Sequence, residues 1–265
     1  MAHDTWRLLI DEPASGATNM ACDEALAIVQ ATGAVPPTLR LYRWQPACLS
    51  LGRFQRSGDV DRAACERAGV MIVRRPSGGR ALLHDDELTY ALIARIDHPL
   101  FARDGSILGD YHRISLALLT GLRRLCSEVV LTAAGRQRSG GSAACFDTPA
   151  AYELTVRDRK LVGSAQARRQ SVLLQHGALP LAPHADRLAA LLAAPPADLG
   201  MRMITLGEAL GRPIGFAEVA SAVVSGFEEA WGITFERGAL SAEERALTER
   251  LRAEKYTQNI WTYAR

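Results

Sequence analysis

Hydrophobic and polar positions recur with two periods along this chain, and they predict helices and strands in alternation. Residues 17–32 carry apolar side chains at helical spacing, and Gly33 follows as a stop signal. Residues 38–44, "TLRLYRW", alternate with the period of a half-buried strand. Other apolar runs predict strands at 47–52, 70–75, 81–84, 87–95, 128–132 and 171–181, and further helices are predicted at 59–69 and 107–126.

The chain from residue 184 onward reads as mostly helical. Ser241 and Glu244 form a capping-box pattern that opens the last helix. Internal repeats and long linkers are absent from the sequence. Pro195-Pro196 is the best candidate for a boundary between the core and the C-terminal part of the chain. We therefore predict one α/β domain spanning residues 1–265, with a core at about 18–194 and a helical part at about 195–265.

The stretch "YELTVRDRKLVGSAQ", residues 152–166, predicts a β-hairpin that turns at Asp158-Arg159. In that register one face is apolar, and the other is mostly polar and includes Glu153, Thr155 and Lys160. The polar face could simply meet solvent. The residues that follow are too apolar for an outer strand, so we expect this face to turn into a pocket.

A glycine-rich turn follows the strand at 70–75 in "RRPSGGRALLH", residues 74–84. It lacks the spacing of a P-loop and of a dinucleotide fingerprint. Adjacent glycines allow close backbone approach, and their N–H groups can bind an oxyanion, although a plain hairpin or bulge fits the spacing equally well. His84 and His176 are each ambiguous between a core position and a ligand contact.

Composition narrows the class of protein. Hydrophobic residues make up 48% and charged residues 23%, as in an ordinary globular domain, and a net charge of +2 does not indicate nucleic-acid binding. No apolar run is long enough for a membrane helix and the N-terminus lacks a signal pattern, so we expect a cytoplasmic protein. The five cysteines include no CxxC pair, which argues against a zinc site.

Positive charge is carried almost entirely by arginine, because lysine occurs only at positions 160 and 255. A lysine in such a chain raises the question of why an ammonium is needed there. Arginine would keep the charge but not the compact shape of the ammonium group. We regard Lys160, in the "RKLVGSAQ" segment, as a functional candidate and Lys255 as a chance lysine on a C-terminal helix.

Several motifs in order resemble the biotin/lipoate protein ligase and octanoyltransferase superfamily. They are "NMACDEAL", "RRPSGGRALLHDDELTY", "RKLVGSAQAR", "LQHGALPL" and "KYTQNIW", and they cover the chain from about residue 18 to its end. The resemblance implies an α/β (α+β) fold with a mixed, largely antiparallel sheet flanked by helices. It also implies that an acyl group is buried between the glycine turn and the "KLVGSA" strand.

Within the superfamily the chain is most similar to the cysteine-dependent octanoyltransferases. Arg80 replaces the third glycine of the ligase-type motif, and Cys145 lies fifteen residues before Lys160. The resemblance implies that Cys145 becomes acylated and that Lys160 lowers the pKa of its thiol. An octanoyl amidotransferase and an ATP-dependent lipoate ligase are the alternatives.

The resemblance also implies partners and a binding site. The donor would be octanoyl-acyl carrier protein, the acceptor a lysine of a lipoyl domain or of the glycine cleavage H protein, and no cofactor or metal is expected. Arg74, Arg75 and Arg80 are expected to cap the pocket or to meet acidic carrier proteins. The expected substrate-binding residues are Arg75, Ser77, Gly78, Gly79, Arg80, His84, Gly163, Ser164, Ala165, His176 and Gly177.

Overall fold

The chain adopts a mixed α/β fold in a computed structural model that describes residues 4–101, 105–133 and 152–265. The strands are β1 (Asp4–Ile10), β2 (Thr38–Tyr42), β3 (Cys48–Leu51), β4 (Met71–Arg74), β5 (Leu82–His84), β6 (Glu87–Arg95), β7 (Val130–Leu131), β8 (Leu154–Val156), β9 (Arg159–Lys160), β10 (Gly163–Arg169), β11 (Val172–Pro180) and β12 (Ile233–Arg237). The helices are α1 (Gly16–Gln30), α2 (Arg62–Arg67), α3 (Ile107–Arg123), α4 (Ala185–Ala189), α5 (Leu199–Arg202), α6 (Leu206–Leu210), α7 (Phe216–Trp231), α8 (Ala242–Leu251) and α9 (Asn259–Thr262). A π-helical turn, Arg252–Tyr256, connects α8 towards α9.

The largest sheet has the strand order β10-β11-β6-β2-β1-β12. Its β10–β11, β11–β6 and β6–β2 pairs are antiparallel, whereas β2–β1 and β1–β12 are parallel. Two smaller sheets have the orders β4-β3-β5 and β7-β8-β9. The expected fold, a mixed and largely antiparallel sheet flanked by helices, is confirmed.

Two strands were missed by the sequence pattern. β12 lies in the part predicted to be helical, and it pairs in parallel with β1, which was not predicted either. β12 is an edge strand of five residues with most of its side chains partly or fully exposed, so it shows little hydrophobic alternation. In β1 the apolar residues Leu8, Leu9 and Ile10 are consecutive, which also obscures the period of two.

The predicted hairpin register was wrong. The turn is Arg157-Asp158, both with positive φ, and Thr155 pairs with Lys160. Positive φ at both central residues is the requirement of a type I′ turn, which matches the twist of the two strands. From Gly163 the chain leaves this hairpin and pairs with β11 in the main sheet. Glu153, Thr155 and Lys160 of the polar face are all shielded from solvent, but they do not line the cavity described below.

Elements on both sides of residue 195 pack together. α7 packs on α3, α8 packs on α1, and β12 extends the main sheet beside β1. The capping box predicted at Ser241 and Glu244 is present at the start of α8. These contacts support a single domain, which stays a prediction.

Helices α3 and α7 cross closely at Gly121 and Gly226. A methyl group at Gly121 would overlap the backbone of Ala222, and one at Gly226 would overlap the backbone of Gly121. The crossing covers one face of the main sheet, where the largest apolar cluster lies. The absence of side chains at this point is therefore what allows the two helices to approach.

We expect Gly121→Ala to lower the free energy of unfolding by about 2 kcal/mol, because overpacking a helix crossing forces the backbones apart. Gly58→Ala is the matched control, since a methyl group there meets no atom within 4 Å and the backbone is unstrained. Urea unfolding followed by circular dichroism would measure both. Equal stability of the two variants would contradict the close-crossing explanation.

Candidate active site

A narrow cavity lies between helix α1 and the main sheet. Most of its wall comes from residues that the sequence predicted: Arg75, His84, Gly163, Ser164, Ala165, His176 and Gly177. Residues that the sequence did not single out complete it: Met20, Tyr42, Trp44, Leu82, Thr89 and Ala178. The fold thus brings the glycine-turn segment, β10 and β11 together around one mostly apolar space.

One wall of the cavity is held by a buried polar network on α1. Asp23 accepts hydrogen bonds from Arg40 at 2.8 Å, from Tyr42 at 2.9 Å and from His176 Nδ1 at 3.0 Å. His176 Nε2 is in turn 2.5 Å from Ser77 Oγ. Burial acts to raise the pKa of Asp23, but the His176 hydrogen bond and the Arg40 charge outweigh it and hold that pKa below its usual value. The carboxylate is therefore ionised.

The opposite wall carries a second histidine with a similar arrangement. His84 Nδ1 lies 2.7 Å from Glu87 Oε1, and His84 Nε2 lies 2.8 Å from Ser50 Oγ. The imidazole stacks on Trp44, with ring centroids 3.8 Å apart. Both ring nitrogens are engaged and one ring face is covered, so His84 is a rigid part of the cavity wall.

The glycine turn is shaped by Arg75. Its guanidinium donates to Ser50 O and Oγ, to Gly78 O and to Arg80 O, so the chain folds round a buried cation. Gly79 has a φ of +93°. Its carbonyl oxygen packs so closely on Gly52 that a methyl group on Gly52 would overlap this oxygen. The backbone N–H groups of Gly78 and Gly79 meet no hydrogen-bond acceptor among the described residues.

Some predicted contacts differ from the structure. Gly78 lines a groove outside the cavity, and neither Gly79 nor Arg80 lines the cavity, because the chain turns away at Gly79 and Arg80 is exposed. Arg74 does not reach a carrier protein, because it is buried and donates to the carbonyls of Gly52, Gln55 and Thr262. Of the three arginines, Arg75 does lie at the cavity, but as part of its wall.

Lys160 is buried on β9, and its ammonium forms an ion pair with Glu153. It lies on the short hairpin rather than in the cavity wall, three residues before Gly163. Cys145 lies outside the described residues. The two ends of the segment that carries it meet at this hairpin, where Tyr152 N donates to Thr132 O and Glu153 N donates to Thr132 Oγ1.

The other four cysteines are buried. Burial raises the pKa of Cys22 and of Cys65 to about 11, and it raises the pKa of Cys48 as well. A thiol that stays protonated is a poor nucleophile. The environments of these three cysteines fit the structural role that the sequence suggested for them.

Sequence reasoning missed the partners of the predicted residues. Asp23 lies in the "NMACDEAL" motif, and its signal was a charged residue among small apolar ones on a helix. Ser50 and Glu87 gave no signal of their own. Lys255, regarded as a chance lysine, in fact pairs with the buried Glu24 at 2.6 Å.

In the described part of the chain, no group of three or more His, Cys, Asp or Glu residues is arranged to hold a metal ion. Nor does any helix within residues 4–101, 105–133 and 152–265 have the length and hydropathy needed to cross a membrane.

Residues 15–228 match the lipoyl protein ligase A/B catalytic domain. The chain belongs to this family. Octanoyltransferase LipM of Kyrpidia tusciae is 43% identical over 273 residues, with 98% of each chain covered. Octanoyltransferase LipM of Moorella thermoacetica is 40% identical over 272 residues, again with 98% of each covered.

A solved structure of a bipartite lipoate protein ligase from Thermoplasma acidophilum has the same fold, with a TM-score of 0.80 at 25% identity over 98% of this chain and 97% of that one. The full-length relatives confirm the family predicted from the motifs and the predicted enzyme class, an acyltransferase. The roles of the individual site residues stay predictions.

We expect Cys22, Cys48 and Cys65 to resist iodoacetamide in the folded protein at about pH 8. With a pKa of about 11, only about one thiol in a thousand of Cys22 or Cys65 is ionised there. Labelling in urea supplies the control, since unfolding restores the ordinary thiol pKa and exposes the sulfur. Peptide mass spectrometry would measure labelling, and rapid modification of these cysteines without urea would contradict the stated effect of burial.

Proposed function

We propose that the protein transfers an octanoyl group from octanoyl-acyl carrier protein, through a thioester on Cys145, to a lysine of a lipoyl domain or of the glycine cleavage H protein. The observation that carries this proposal is the buried Lys160 ammonium on the hairpin where both ends of the Cys145 segment meet. The full-length similarity to octanoyltransferases supports the same reaction. The proposed site of action is the cytoplasm.

In the first half-reaction the Cys145 thiolate attacks the carbonyl carbon of the octanoyl thioester. A new C–S bond forms, the bond to the carrier's sulfur breaks, and that sulfur leaves with the electron pair. One thioester replaces another, so the step requires no ATP. A lysine ammonium near the thiol favours the thiolate, and Lys160 is the cation that the hairpin supplies.

Backbone donors can stabilise the charge that develops on the carbonyl oxygen. The N–H groups of Gly78 and Gly79 meet no acceptor among the described residues, and Gly78 lines the groove outside the cavity. Donors already fixed in place lower the barrier because they do not have to reorient during the reaction. These two N–H groups are the proposed oxyanion donors.

The cavity is suited to an acyl chain. Met20, Leu82 and Ala178 contribute apolar surface, and the missing side chain at Gly177 lets Tyr90 and Ser164 pack directly against β11. A wider groove lined by Arg53, Phe54 and Arg169 lies on the far side of the glycine turn. Its arginines suit an acidic carrier protein, so docking is expected to weaken as salt rises.

Intact mass spectrometry tests the proposal directly. Octanoyl-acyl carrier protein should add one octanoyl group to the enzyme without ATP, and the group should then pass to the acceptor. Cys145→Ala should abolish both events, because it removes the thiol that bonds to the acyl carbon. Cys126→Ala is the matched control and should keep them. An adduct that survives Cys145→Ala, or activity that requires free acid and ATP, would overturn the proposal.

Lys160→Arg should reduce turnover by about 10²-fold although it keeps the charge, because a planar guanidinium does not fit where a compact ammonium is enclosed. Lys160→Met would remove the ammonium that pairs with the buried Glu153, so its stability loss must be separated from a catalytic loss. The double variant Lys160→Met with Glu153→Gln removes that penalty and serves as the control. It should fold with nearly native stability and remain inactive, whereas wild-type turnover in it would exclude a catalytic role for Lys160.

A further inference from the structure

Four exposed arginines gather where the loop after β3 meets the segment that follows α9. We call them the arginine patch: Arg53, Arg56, Arg62 and Arg265. Ser57 N donates to the Arg265 carbonyl at 2.7 Å, which ties the two segments together. The Arg53 and Arg265 guanidiniums lie 5.8 and 5.4 Å from the centroid of the Phe54 ring, and that of Arg62 lies 3.8 Å from the Tyr263 ring centroid. The patch is therefore one surface built from distant parts of the sequence.

The guanidiniums of the arginine patch have no carboxylate partner in the described part of the chain. Exposed arginines elsewhere do pair, as Arg157 does with Glu128. Of the two carboxylates in the same loop, Asp61 accepts from Ala64 N at 2.9 Å and caps α2, and Asp59 forms no ion pair with the patch. The positive charge here is thus available to a partner.

Aromatic rings, rather than counterions, hold the patch in place. The Arg53 guanidinium lies 5.2 Å from the centroid of the Trp261 ring, and the Trp261 indole donates to the Arg74 carbonyl at 2.8 Å. A cation over a ring is attracted to its π electrons without using its N–H donors. Arg53 is therefore fixed next to the end of β4 while its planar set of donors remains available for a carboxylate or a phosphate.

Large apolar side chains are exposed on the same surface. Phe54 is 66% exposed, and Ile260, which precedes Trp261 on α9, is 85% exposed. Exposed aromatic and arginine side chains together are typical of a protein-binding surface. A lipid surface fits less well, because the Phe54 ring could enter hydrocarbon only together with the guanidiniums of Arg53 and Arg265 beside it. The surface therefore suits a protein partner with acidic side chains and an apolar contact.

The outer groove connects the arginine patch to the glycine turn. Arg53 and Phe54 line this groove, and so do Pro76 and Gly78. Acyl carrier protein presents its acyl group at the end of a long phosphopantetheine arm, whereas the acceptor presents only a lysine side chain. An arm that starts at the patch can follow the groove to Gly78, one of the proposed oxyanion donors. This continuity favours the donor over the acceptor as the partner.

The groove itself carries an excess of positive charge. Glu24 is its one carboxylate among the described lining residues, and it already faces two cations, Lys255 at 2.6 Å and Arg169 at 3.5 Å. Arg53 adds a third positive charge to the lining. The phosphopantetheine arm carries a phosphodiester, an anion that guanidinium groups bind well. The groove thus suits the arm as the patch suits the carrier.

We propose that the arginine patch, with Phe54 and Ile260, is the surface on which the acidic acyl carrier protein docks to deliver its octanoyl group. The inference rests on the proposed function. Complementary charge speeds the encounter and orients the carrier. Phe54 and Ile260 supply the apolar contact, and the arm then enters the groove beside Arg53.

The test compares two octanoyl donors by following acyl-enzyme formation with intact mass spectrometry. One donor is octanoyl-acyl carrier protein, and the other is octanoyl-pantetheine, a thioester with neither a protein nor a phosphate. The double variant Arg56→Glu with Arg265→Glu is chosen because neither residue lines the cavity or the groove. It should raise the KM for the carrier donor about tenfold at low salt, because two carboxylates then face an acidic partner. Octanoyl-pantetheine should react at the wild-type rate.

Salt and a distant arginine supply the controls. Raising the salt concentration should bring the wild-type and variant KM values together, because screening weakens both attraction and repulsion. Arg237→Glu makes the same charge change on β12, which is five strand spacings, or roughly 24 Å, from the β10 edge that lines the groove. It should leave the carrier KM unchanged. An equal rise with Arg237→Glu would show that net charge alone matters and would overturn the docking surface.

The remaining outcomes separate the two proposals. A wild-type carrier KM in the double variant, or an equal loss with octanoyl-pantetheine, would overturn the docking surface. A raised KM for the acceptor protein instead, or loss of binding to anionic phospholipid vesicles with an unchanged carrier KM, would overturn it as well. If the double variant does not fold, Arg56→Gln replaces it, with an expected rise of about threefold. Absence of an octanoyl adduct on the wild-type enzyme from either donor would overturn the proposed function.

Discussion

The ionised Asp23 carboxylate is the constraint around which this structure is arranged. Removing a carboxylate from water costs several kcal/mol, and here Arg40, Tyr42 and His176 offset that cost by direct hydrogen bonds. These partners come from two strands of the main sheet, so the charge fixes how α1 lies across it. The same contact sets the tautomer of His176. The packing of α1 on the main sheet and the orientation of His176 thus depend on one buried charge.

The glycine turn follows from a second buried charge. Turns are usually shaped by their own backbone hydrogen bonds. Here the Arg75 guanidinium shapes the turn instead, because it donates hydrogen bonds to the carbonyls of Gly78 and Arg80. Carbonyls directed at Arg75 leave the N–H groups of Gly78 and Gly79 without an acceptor among the described residues. A turn that satisfied its own N–H groups would have no donors left for an oxyanion.

The sequence predicted those parts of the site that depend on local pattern. The strand that carries His176 and the Ser241 capping box followed from residue spacing alone. Partner choice could not be predicted in this way, because Asp23 and His176 are 153 positions apart. The edge strand β12 was missed because its largely exposed residues show little alternation, and its pairing with β1 joins residues even farther apart in sequence. The hairpin turn was placed one residue late because Arg157, its first central residue, is not a typical residue for positive φ.

The contacts of Arg74 have a consequence for the order in which the chain is made. Arg74 binds the carbonyls of Trp261 and Thr262, and the Trp261 indole donates back to the Arg74 carbonyl. During synthesis the glycine turn leaves the ribosome well before these residues do. Arg74 can bind the carbonyls of Gly52 and Gln55 early, but its contacts with Trp261 and Thr262 form only after almost two hundred further residues have been added. The full set of Arg74 hydrogen bonds is therefore complete only when α9 has been synthesised, so the C-terminal helix and the glycine turn reach their final packing together.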